Sequence, residues 1–309
     1  MQICRRKYRG VGHNITTKTM LRKITTTVIC VIATMFAAQA QCPNNEIWYT
    51  TSDGQKVELY YNGGTKNRLV SHTYADNKGV ITMQHDIKSL DLRFSDCETL
   101  TSVTIPDCVT EIGWGAFAGC TGLKNITIPE NVVRIENSAF AGCTGLTSIK
   151  IPNKPRSIAD SAFAGCINLT NINIPSSVQT IGWQAFAGCS SLATITLPNS
   201  VTWIGGSAFA GCKSLASIAI PERVTHIGES AFEGCSSLKS FKGQFASEDG
   251  RCLIVSGKIV AFAPAGLSEY TIPFSATDID SNAFKGCSKQ YKEFLYLMGK
   301  NMAKKYLNF

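Results

Sequence analysis

The sequence predicts a solenoid, a stack of short coils with a parallel β-sheet along one face. Three observations predict it: a phenylalanine every 23 residues, a cysteine three residues behind each phenylalanine, and an Ile-x-Ile-Pro segment between them. A fixed period of roughly 20–29 residues indicates a repeat architecture in which no coil buries its apolar side alone. The phenylalanines are Phe94, Phe117, Phe140, Phe163, Phe186, Phe209 and Phe232, and the cysteines are Cys97, Cys120, Cys143, Cys166, Cys189, Cys212 and Cys235.

Residues 1–40 are predicted to be a secretory signal peptide. They hold seven basic residues and no acidic one, and an apolar run at 28–38 leads into Ala38-Gln39-Ala40. A basic start, a short apolar core and an Ala-x-Ala site are typical of a cleaved export signal, and the run is too short to span a bilayer. We expect cleavage after Ala40, with Met1 or Met20 as the start, and no membrane span afterwards.

Export changes how the net charge is interpreted. The whole chain carries 30 Lys and Arg against 22 Asp and Glu, a formal charge of +8. Removing the seven basic residues of the signal leaves 23 against 22, or +1. Such a balance provides no basic surface of the kind that nucleic acid requires, so nucleic acid is not an expected partner.

Residues 41–93 are predicted to form a β-rich cap on the first coil. A strand-like segment at 58–61 runs into Asn62-Gly63-Gly64, and a second turn at 77–79 precedes another strand-like segment at 80–83. A solenoid must cover the open end of its first coil. Packing within this cap, rather than ligand binding, is therefore the expected role of four aromatic residues: Trp48, Tyr49, Tyr60 and Tyr61.

Residues 94–288 are predicted to be the repeat domain. Each Ile-x-Ile pair has the two-residue period of a strand, and the proline behind it ends the strand because it cannot donate a hydrogen bond to the sheet. A Val-x-x-Ile pair follows, and Ala-Phe-Ala-Gly-Cys then makes a tight turn or a helical turn with the phenylalanine at the coil centre. The prolines are Pro106, Pro129, Pro152, Pro175, Pro198, Pro221 and Pro273.

The recurring cysteines are predicted to be free, buried thiols. A residue that recurs at one inward position is best explained as a small apolar side chain, and neither Cys-x-x-Cys pairs nor Cys/His clusters indicate a metal site. An exported protein can nevertheless form disulfides. Cys42, Cys108 and Cys252 lie outside the ladder of cysteines and are candidates for pairing, in a combination that the sequence leaves open.

The repeat is interrupted once and ends before the C-terminus. Phe232 and Phe284 are 52 residues apart, two periods plus six, and turn signals at 248–250 and 256–258 flank two apolar runs. We therefore expect a β-hairpin inserted at about 243–268. Residues 289–309 lack the repeat, and the spacing of their apolar residues predicts a short helix in a tail that caps the last coil.

The pattern A-F-x-x-C-x-x-L-x-x-I-x-I-P-x-x-V-x-x-I-G resembles the BspA-like (Treponema-type) leucine-rich repeats of secreted and cell-surface proteins from anaerobic bacteria. The segments 45–50 and 78–82 resemble the lead-in of the same family, and the resemblance covers roughly residues 44 to 288. It implies a right-handed leucine-rich-repeat-like superhelix. It also implies adhesion or binding at the cell exterior, with matrix proteins, host surfaces or other bacteria as partners. No motif of the family fixes binding residues, so none is carried over.

No motif in the chain indicates catalysis. His72, His85 and His226 are the histidines that follow residue 40, and none has metal-type spacing to another His, Cys or acid. Nucleotide-binding, zinc-protease and serine-hydrolase motifs do not occur, and the scattered acids give no hint of the facing pair that glycoside cleavage needs. We expect no enzyme activity, no cofactor and no metal.

Two sets of residues are candidates for binding a macromolecule. The outward strand positions are small or polar and lack acids, which suits protein or sugar hydroxyls, although a solvated strand face explains them as well. Exposed tryptophans are enriched at interface hot spots and also suit sugar rings, although simple surface filling explains them too. The strand positions are Thr127, Lys150, Asn173, Thr196 and Lys242, and the tryptophans are Trp114, Trp183 and Trp203.

The predicted function is that of an exported, non-enzymatic scaffold for adhesion or protein binding at the cell exterior, either secreted or on the outer surface. The extracellular ligand is a protein or a glycan of unknown identity. One alternative is a carbohydrate-binding surface scaffold. The other is a structural component of the periplasm.

Overall fold

The computed structural model describes residues 42–61, 68–267, 270–273, 275–280 and 282–284. The predicted signal peptide, the predicted tail at 289–309 and Cys287 lie outside these ranges. The described residues form a solenoid of about eight turns with parallel sheets, which confirms the predicted fold class. The Ala-Phe-Ala-Gly-Cys segments are turns in the described coils, so of the two conformations that the sequence left open there, the helical turn does not form.

The cap contributes six short strands ahead of the first complete coil. They are β1 (Glu46–Thr51), β2 (Tyr60–Tyr61), β3 (Leu69–Ala75), β4 (Lys78–Met83), β5 (Ser89–Leu90) and β6 (Leu92–Arg93). The segment predicted at 80–83 is confirmed as β4, whereas the one at 58–61 narrows to the two residues of β2. β3 was not predicted, and it pairs antiparallel with β4.

The coils contribute two strands each along most of the stack, and these strands line two faces. In chain order they are β7 (Leu100–Thr104), β8 (Glu111–Ile112), β9 (Asn125–Thr127), β10 (Arg134–Ile135), β11 (Ser148–Lys150), β12 (Ser157–Ile158), β13 (Asn171–Asn173), β14 (Thr180–Ile181), β15 (Trp203–Ile204), β16 (Ser217–Ala219), β17 (His226–Ile227) and β18 (Ser240–Lys242). The first face holds the parallel pairs β7–β9, β11–β13 and β16–β18. The second face holds the parallel sheets β5–β8–β10 and β12–β14–β15–β17.

The cap closes the open edge of the first face. β1 pairs antiparallel with β7, which places Tyr49 opposite Val103. The Tyr49 ring is buried and meets Phe94, the first phenylalanine of the stack, edge-on at 6.0 Å between centroids. Its hydroxyl lies 2.7 Å from Nε2 of His72 and accepts a hydrogen bond from the Val57 amide. Tyr49 therefore packs in the cap as predicted, and it satisfies its one polar atom while doing so.

The phenylalanines form one continuous column through the stack. From Phe94 to Phe232, neighbouring rings lie 5.4–5.7 Å apart between centroids, with planes within 12° of each other. Backbone hydrogen bonds also connect each coil to the next along this column. For example, the amide of Phe140 donates to the carbonyl of Ala162 in the next coil at 2.9 Å. Gly165 closes the following turn with φ +73°, a conformation that glycine adopts without steric cost. Identical positions therefore contact each other from coil to coil.

Six of the seven described cysteines of the repeat form a second column of free, buried thiols, as predicted, whereas Cys97 of the first coil is only half-buried. Cys120, Cys143, Cys166, Cys189, Cys212 and Cys235 are buried, and each thiol donates to the carbonyl of a phenylalanine 26 residues earlier, at 2.9–3.3 Å. The position therefore suits a small apolar side chain that carries a weak donor. Cys42, Cys108 and Cys252 are also unpaired thiols in the described residues.

A β-hairpin lies beyond the last regular coil. β19 (Cys252–Val255) pairs antiparallel with β20 (Lys258–Phe262), and β20 pairs in parallel with β21 (Asp278–Ile279). The connecting residues Ser256 and Gly257 both have positive φ, of 52° and 79°, the signature of a type I′ turn. This end has its own apolar cluster, which includes Phe262 and Phe284.

Candidate binding surfaces

The outward residues of the first face form a polar surface of regular spacing. Thr127 lies in register with Thr104, Asn173 with Lys150, and Lys242 with Ala219. All are exposed, whereas the residue before each of them in its strand is buried: Val103, Ile126, Ile149, Ile172, Ile218 and Phe241. Thr196 is exposed too but lies outside any strand, so its coil holds the position without the sheet hydrogen bonds. We call this set the strand face.

A shallow, open depression marks the part of the strand face nearest the cap. Its volume is about 360 Å³, and its polar lining comes from Ser102, Asn125, Thr127, Ser148 and Lys150. The Lys150 ammonium lies 2.6 Å from a carboxylate oxygen of Glu130, and both side chains are exposed. The depression therefore offers hydroxyl and amide groups, with a cation that is already paired.

Trp203 lies on the second face, away from the strand face. It is the outward residue of β15, in register with Thr180 of β14 and His226 of β17. Its indole stacks on the His226 imidazole with centroids 3.6 Å apart and planes 17° apart, yet 39% of the residue remains exposed. One ring face is therefore covered by histidine, while part of the side chain remains open to solvent.

Trp183 occupies the corner that follows β14 and is 58% exposed. Its indole lies over Gly206 of the next coil, because a methyl group built on Gly206 would come within 2.9 Å of ring carbon Cζ3. The Trp183 amide donates to Oδ1 of Asp160 in the preceding coil at 2.8 Å. Glycine at position 206 is thus what allows the ring to lie against the backbone.

Trp114 occupies the same column as Trp183 but three coils earlier, with 55% of the residue exposed. The next coil carries Asn137 at the position that Gly206 holds beneath Trp183. Glu111 of its own coil and Glu136 of the next coil both form ion pairs with Arg134. Trp114 is therefore separated from Trp183 and Trp203 and has different neighbours.

The predicted site residues thus fall on two separate surfaces. The strand residues belong to the first face, and Trp183 and Trp203 belong to adjacent coils at the second face, without direct ring contact between them. Sequence reasoning missed three neighbours of the tryptophans, although the period could have found them. His226 and Gly206 lie 23 residues after Trp203 and Trp183, and Asp160 lies 23 before Trp183.

In the described part of the chain, no group of three or more His, Cys, Asp or Glu side chains is arranged to hold a metal ion. Across those same residues, we find no helix with the length and apolar character to cross a membrane.

Two crystal structures of bacterial proteins have a similar fold. A leucine rich cell surface protein from Faecalibacterium prausnitzii A2-165 is 33% identical, with a TM-score of 0.51, and the match covers 62% of this chain and 53% of that one. A leucine-rich repeat protein from Bacteroides ovatus ATCC 8483 is 25% identical, also with a TM-score of 0.51, and the match covers 71% of this chain and 61% of that one. The chain thus spans between about half and three fifths of the length of these proteins.

Comparison with protein families gives the same result as the fold. No match is found among curated proteins. The model of the BspA type leucine rich repeat region matches in six copies, over residues 90–184 and 156–291. These ranges hold every regular coil and cover more than half of the 309 residues. The chain belongs to the family of BspA type leucine-rich repeat proteins.

Proposed function

We propose that this protein is exported and acts as a non-enzymatic scaffold that binds a protein partner at the cell exterior. The observation that carries the proposal is the exposure of Trp183 and Trp203, at positions where other coils hold small or polar residues. The core does not require an indole at either position, because Gly206 and Thr180 occupy the same columns in neighbouring coils. Exposed tryptophans of this kind are enriched at interface hot spots.

Export is supported by two independent lines. The basic, apolar and Ala-x-Ala segments of residues 1–40 have the order of a signal peptide. One similar structure, from Faecalibacterium prausnitzii, is that of a leucine rich cell surface protein. Together, these two lines support the proposal that the protein is located on the outer surface or is released from it.

A glycan-binding scaffold is the second candidate. The observation that favours it is the strand face, whose depression of about 360 Å³ is lined by hydroxyl and amide groups without acids. Such groups hydrogen-bond sugar hydroxyls as readily as they do protein backbones. The tryptophans favour the protein partner, and the strand face suits either kind of ligand.

Protease accessibility on intact cells tests the location. An antibody to residues 42–284 would follow digestion, beside a periplasmic protein as the control. We expect digestion while the control is spared, followed by binding of the purified protein to at least one immobilised matrix or cell-surface protein. Protection until the outer membrane is opened would contradict the proposal and direct the search to the periplasm. Binding of glycans alone would favour the second candidate.

A further inference from the structure

One patch on the second face combines exposed indoles with carboxylates. We call it the aromatic patch, and it consists of Asp160, Trp183, Trp203, Gly206, His226 and Glu229. Asp160, Trp183, Gly206 and Glu229 occupy the same position in four consecutive coils. Trp203 and Gly206 are three residues apart along one coil, a span of at most about 10 Å. The two indoles therefore lie within reach of a single short peptide segment.

Each indole of the aromatic patch is held in place before any ligand arrives. Part of the Trp183 ring lies against Gly206, while more than half of the residue remains exposed. The Trp203 ring is held by stacking on His226 at 3.6 Å. Side chains that are ordered in advance lose less conformational entropy on binding, so the rings are suited to act as anchors.

The charges around the rings are negative and lack a partner cation. The basic residues between Asp160 and Glu229 in the sequence are Lys213 and Arg223, and neither forms an ion pair with these two acids. In the described part of the chain, neither Asp160 nor Glu229 forms an ion pair. The nearby ammonium of Lys258 pairs with Asp280 at 2.8 Å, and this hydrogen bond is the main cause of its raised pKa, to which Glu229 adds the smallest contribution.

The cap contains the same combination of groups with its cation in place. The ammonium of Lys78 lies 3.2 Å from the centroid of the Trp48 ring. The indole nitrogen of Trp48 donates to the carboxylate of Glu46 at 2.6 Å. An indole thus holds a lysine within this chain, by the attraction between a cation and the electron-rich face of an aromatic ring, and a carboxylate fixes the indole nitrogen. The aromatic patch has the indoles and the carboxylates, but among the described residues neither carboxylate is paired with a cation.

We propose that the aromatic patch binds a basic segment of a protein partner, with an Arg or Lys side chain over the exposed part of the Trp183 ring and a second cation beside Trp203. Asp160 and Glu229 supply the complementary charge. Arginine fits better than lysine, because its planar guanidinium stacks on an indole and is less strongly hydrated. The inference rests on the proposed function, since it names the chemistry by which the scaffold takes its protein partner.

Binding of a model peptide to the purified protein tests this inference. The probe is a short fluorescein-labelled peptide in which Arg and Gly alternate, and its control replaces each Arg with citrulline, which has nearly the same shape without the charge. Fluorescence anisotropy at about 0.15 M salt measures both affinities under physiological screening. We expect the arginine peptide to bind and the citrulline peptide to bind at least about tenfold more weakly.

Substitutions assign the binding to the aromatic patch. We expect Trp183→Ala and Trp203→Ala each to weaken binding of the arginine peptide by about tenfold, whereas Trp114→Ala leaves it unchanged. Trp114 is the matched control, because it is equally exposed but has Asn137 beside it and acids that are paired with Arg134. Circular dichroism would verify that each variant is folded.

Two further variants separate ring geometry from charge. Gly206→Asn removes the seat of the Trp183 ring, and other coils carry Asn137 and Asp160 at this position, so the backbone accommodates the change. Asp160→Asn removes the charge while keeping an oxygen that can accept from the Trp183 amide. We expect each to weaken binding of the arginine peptide, by between twofold and about tenfold.

Three outcomes would overturn the inference. The first is equal affinity for the arginine and citrulline peptides. The second is an equal loss in Trp114→Ala and in Trp183→Ala. The third is saturable binding of a neutral oligosaccharide such as chitohexaose that requires Trp183 and Trp203, with no binding of the basic peptide. If the protein still captures a matrix protein when both tryptophans are replaced, the proposed function stands and the assignment to the aromatic patch fails.

Discussion

The regular stack and the interrupted end of this protein solve the same packing problem in different ways. Through the stack, from Phe94 to Phe232, phenylalanine rings lie parallel and 5.4–5.7 Å apart. At the end, Phe232 meets Phe241 edge-on at 71°, and Phe262 meets Phe284 at a tilt of 37°. A cavity of about 10 Å³ lies at the seam between the two regions. The period therefore sets the packing only where it is unbroken.

The difference shows what a repeat contributes to stability. In the stack, each core side chain touches its own copies on both sides, so one position serves two interfaces. At the end, the inserted hairpin separates Phe232 from Phe284, and different side chains fill the space between them. Outward positions are released from this constraint, which is why one column can hold Trp114, Asn137, Asp160, Trp183 and Gly206 in five consecutive coils.

The largest effect that we expect is a loss of stability of the stack in alkali. Burial raises the pKa of Cys189 and Cys235 from an ordinary 9.0 to about 12, and it also raises the pKa of the other four thiols of the column. An unfolded thiol releases its proton above pH 9, while the folded thiol keeps it. The unfolded state then binds fewer protons, so stability falls as the pH rises, by up to about 1.4 kcal/mol per pH unit for each buried thiol.

Urea unfolding between neutral pH and about pH 10 measures this dependence. A double variant, Cys166→Ala with Cys189→Ala, should have a shallower slope above pH 9 even though it is less stable at pH 7. The hairpin end contains a single buried thiol of this kind among its described residues, Cys252, and should be less sensitive. An unchanged slope in the double variant would mean that these thiols do not control the alkaline limit.

The next largest effect is expected from removing one ring of the phenylalanine column. Phe163 is fully buried and stacks on Phe140 at 5.5 Å and on Phe186 at 5.7 Å. Phe163→Ala should lower the free energy of unfolding by about 3–5 kcal/mol, through lost burial and a cavity with walls in three coils. Urea denaturation followed by far-UV circular dichroism measures the change.

Phe284→Ala is the matched variant at the interrupted end. Phe284 is 9% exposed, and Phe262 is its ring partner, so we expect a loss of at most about half that of Phe163→Ala. Equal losses would contradict the view that copies on both sides make the stack stronger than the end.

A smaller effect is expected from the cysteine column. The Cys166 thiol donates to the carbonyl of Phe140 at 3.1 Å and is buried. Cys166→Ala leaves that carbonyl without this donor and opens a small void, so stability should fall by about 1–2 kcal/mol. Cys108→Ala is the comparison in the partly exposed first coil, where the loss should stay within about 0.5 kcal/mol. Thermal or urea unfolding of the two variants measures both losses. A loss in Cys166→Ala no larger than the loss in Cys108→Ala would mean that the cysteine column does not contribute to stability.

The smallest effect concerns the cap. Burial lowers the pKa of His72, whose Nε2 lies 2.7 Å from the Tyr49 hydroxyl. Below about pH 6.5 the unfolded state takes up a proton on this residue that the folded state resists, so stability declines as the pH falls toward the lowered folded pKa. His72→Gln should flatten the decline between pH 7 and pH 5. A decline of the same steepness in the variant would assign the acid sensitivity to other groups.

The sequence predicted the features that repeat or that have local turn signals, and it missed those that depend on contacts between distant segments. The inward positions of Phe140 and Cys143 follow from a fixed period, because in a solenoid each residue meets the one 23 places away. The hairpin followed from its local turn signals at Ser256 and Gly257. The antiparallel pairing of β1 with β7 could not be predicted, because a cap strand that occurs once carries no period to set its register.

The fixed period of the repeat also explains which features of the candidate surfaces could be predicted. The exposure of Trp183 and Trp203 follows from their variable columns, and their placement in adjacent coils follows from the period. The position of these tryptophans on a different face from the strand residues does not follow from the sequence. The alternation of side chains within a coil does not fix the angle between the two strands of that coil. The seat of Trp183 on Gly206 depends on a side-chain rotamer, which sequence spacing alone does not give.

Amide hydrogen exchange tests most directly the claim that contacts between identical positions make the stack one cooperative unit and leave the end separate. The amides of Phe117, Phe140 and Phe163 each donate to the next coil and should exchange slowly and together. The amides of β19, β20 and β21 should exchange faster than those of the stack. The substitution Phe284→Ala should raise their exchange rates further and leave the exchange rates of the stack unchanged. Equal protection through β21, or separate exchange rates for successive coils of the stack, would contradict the account.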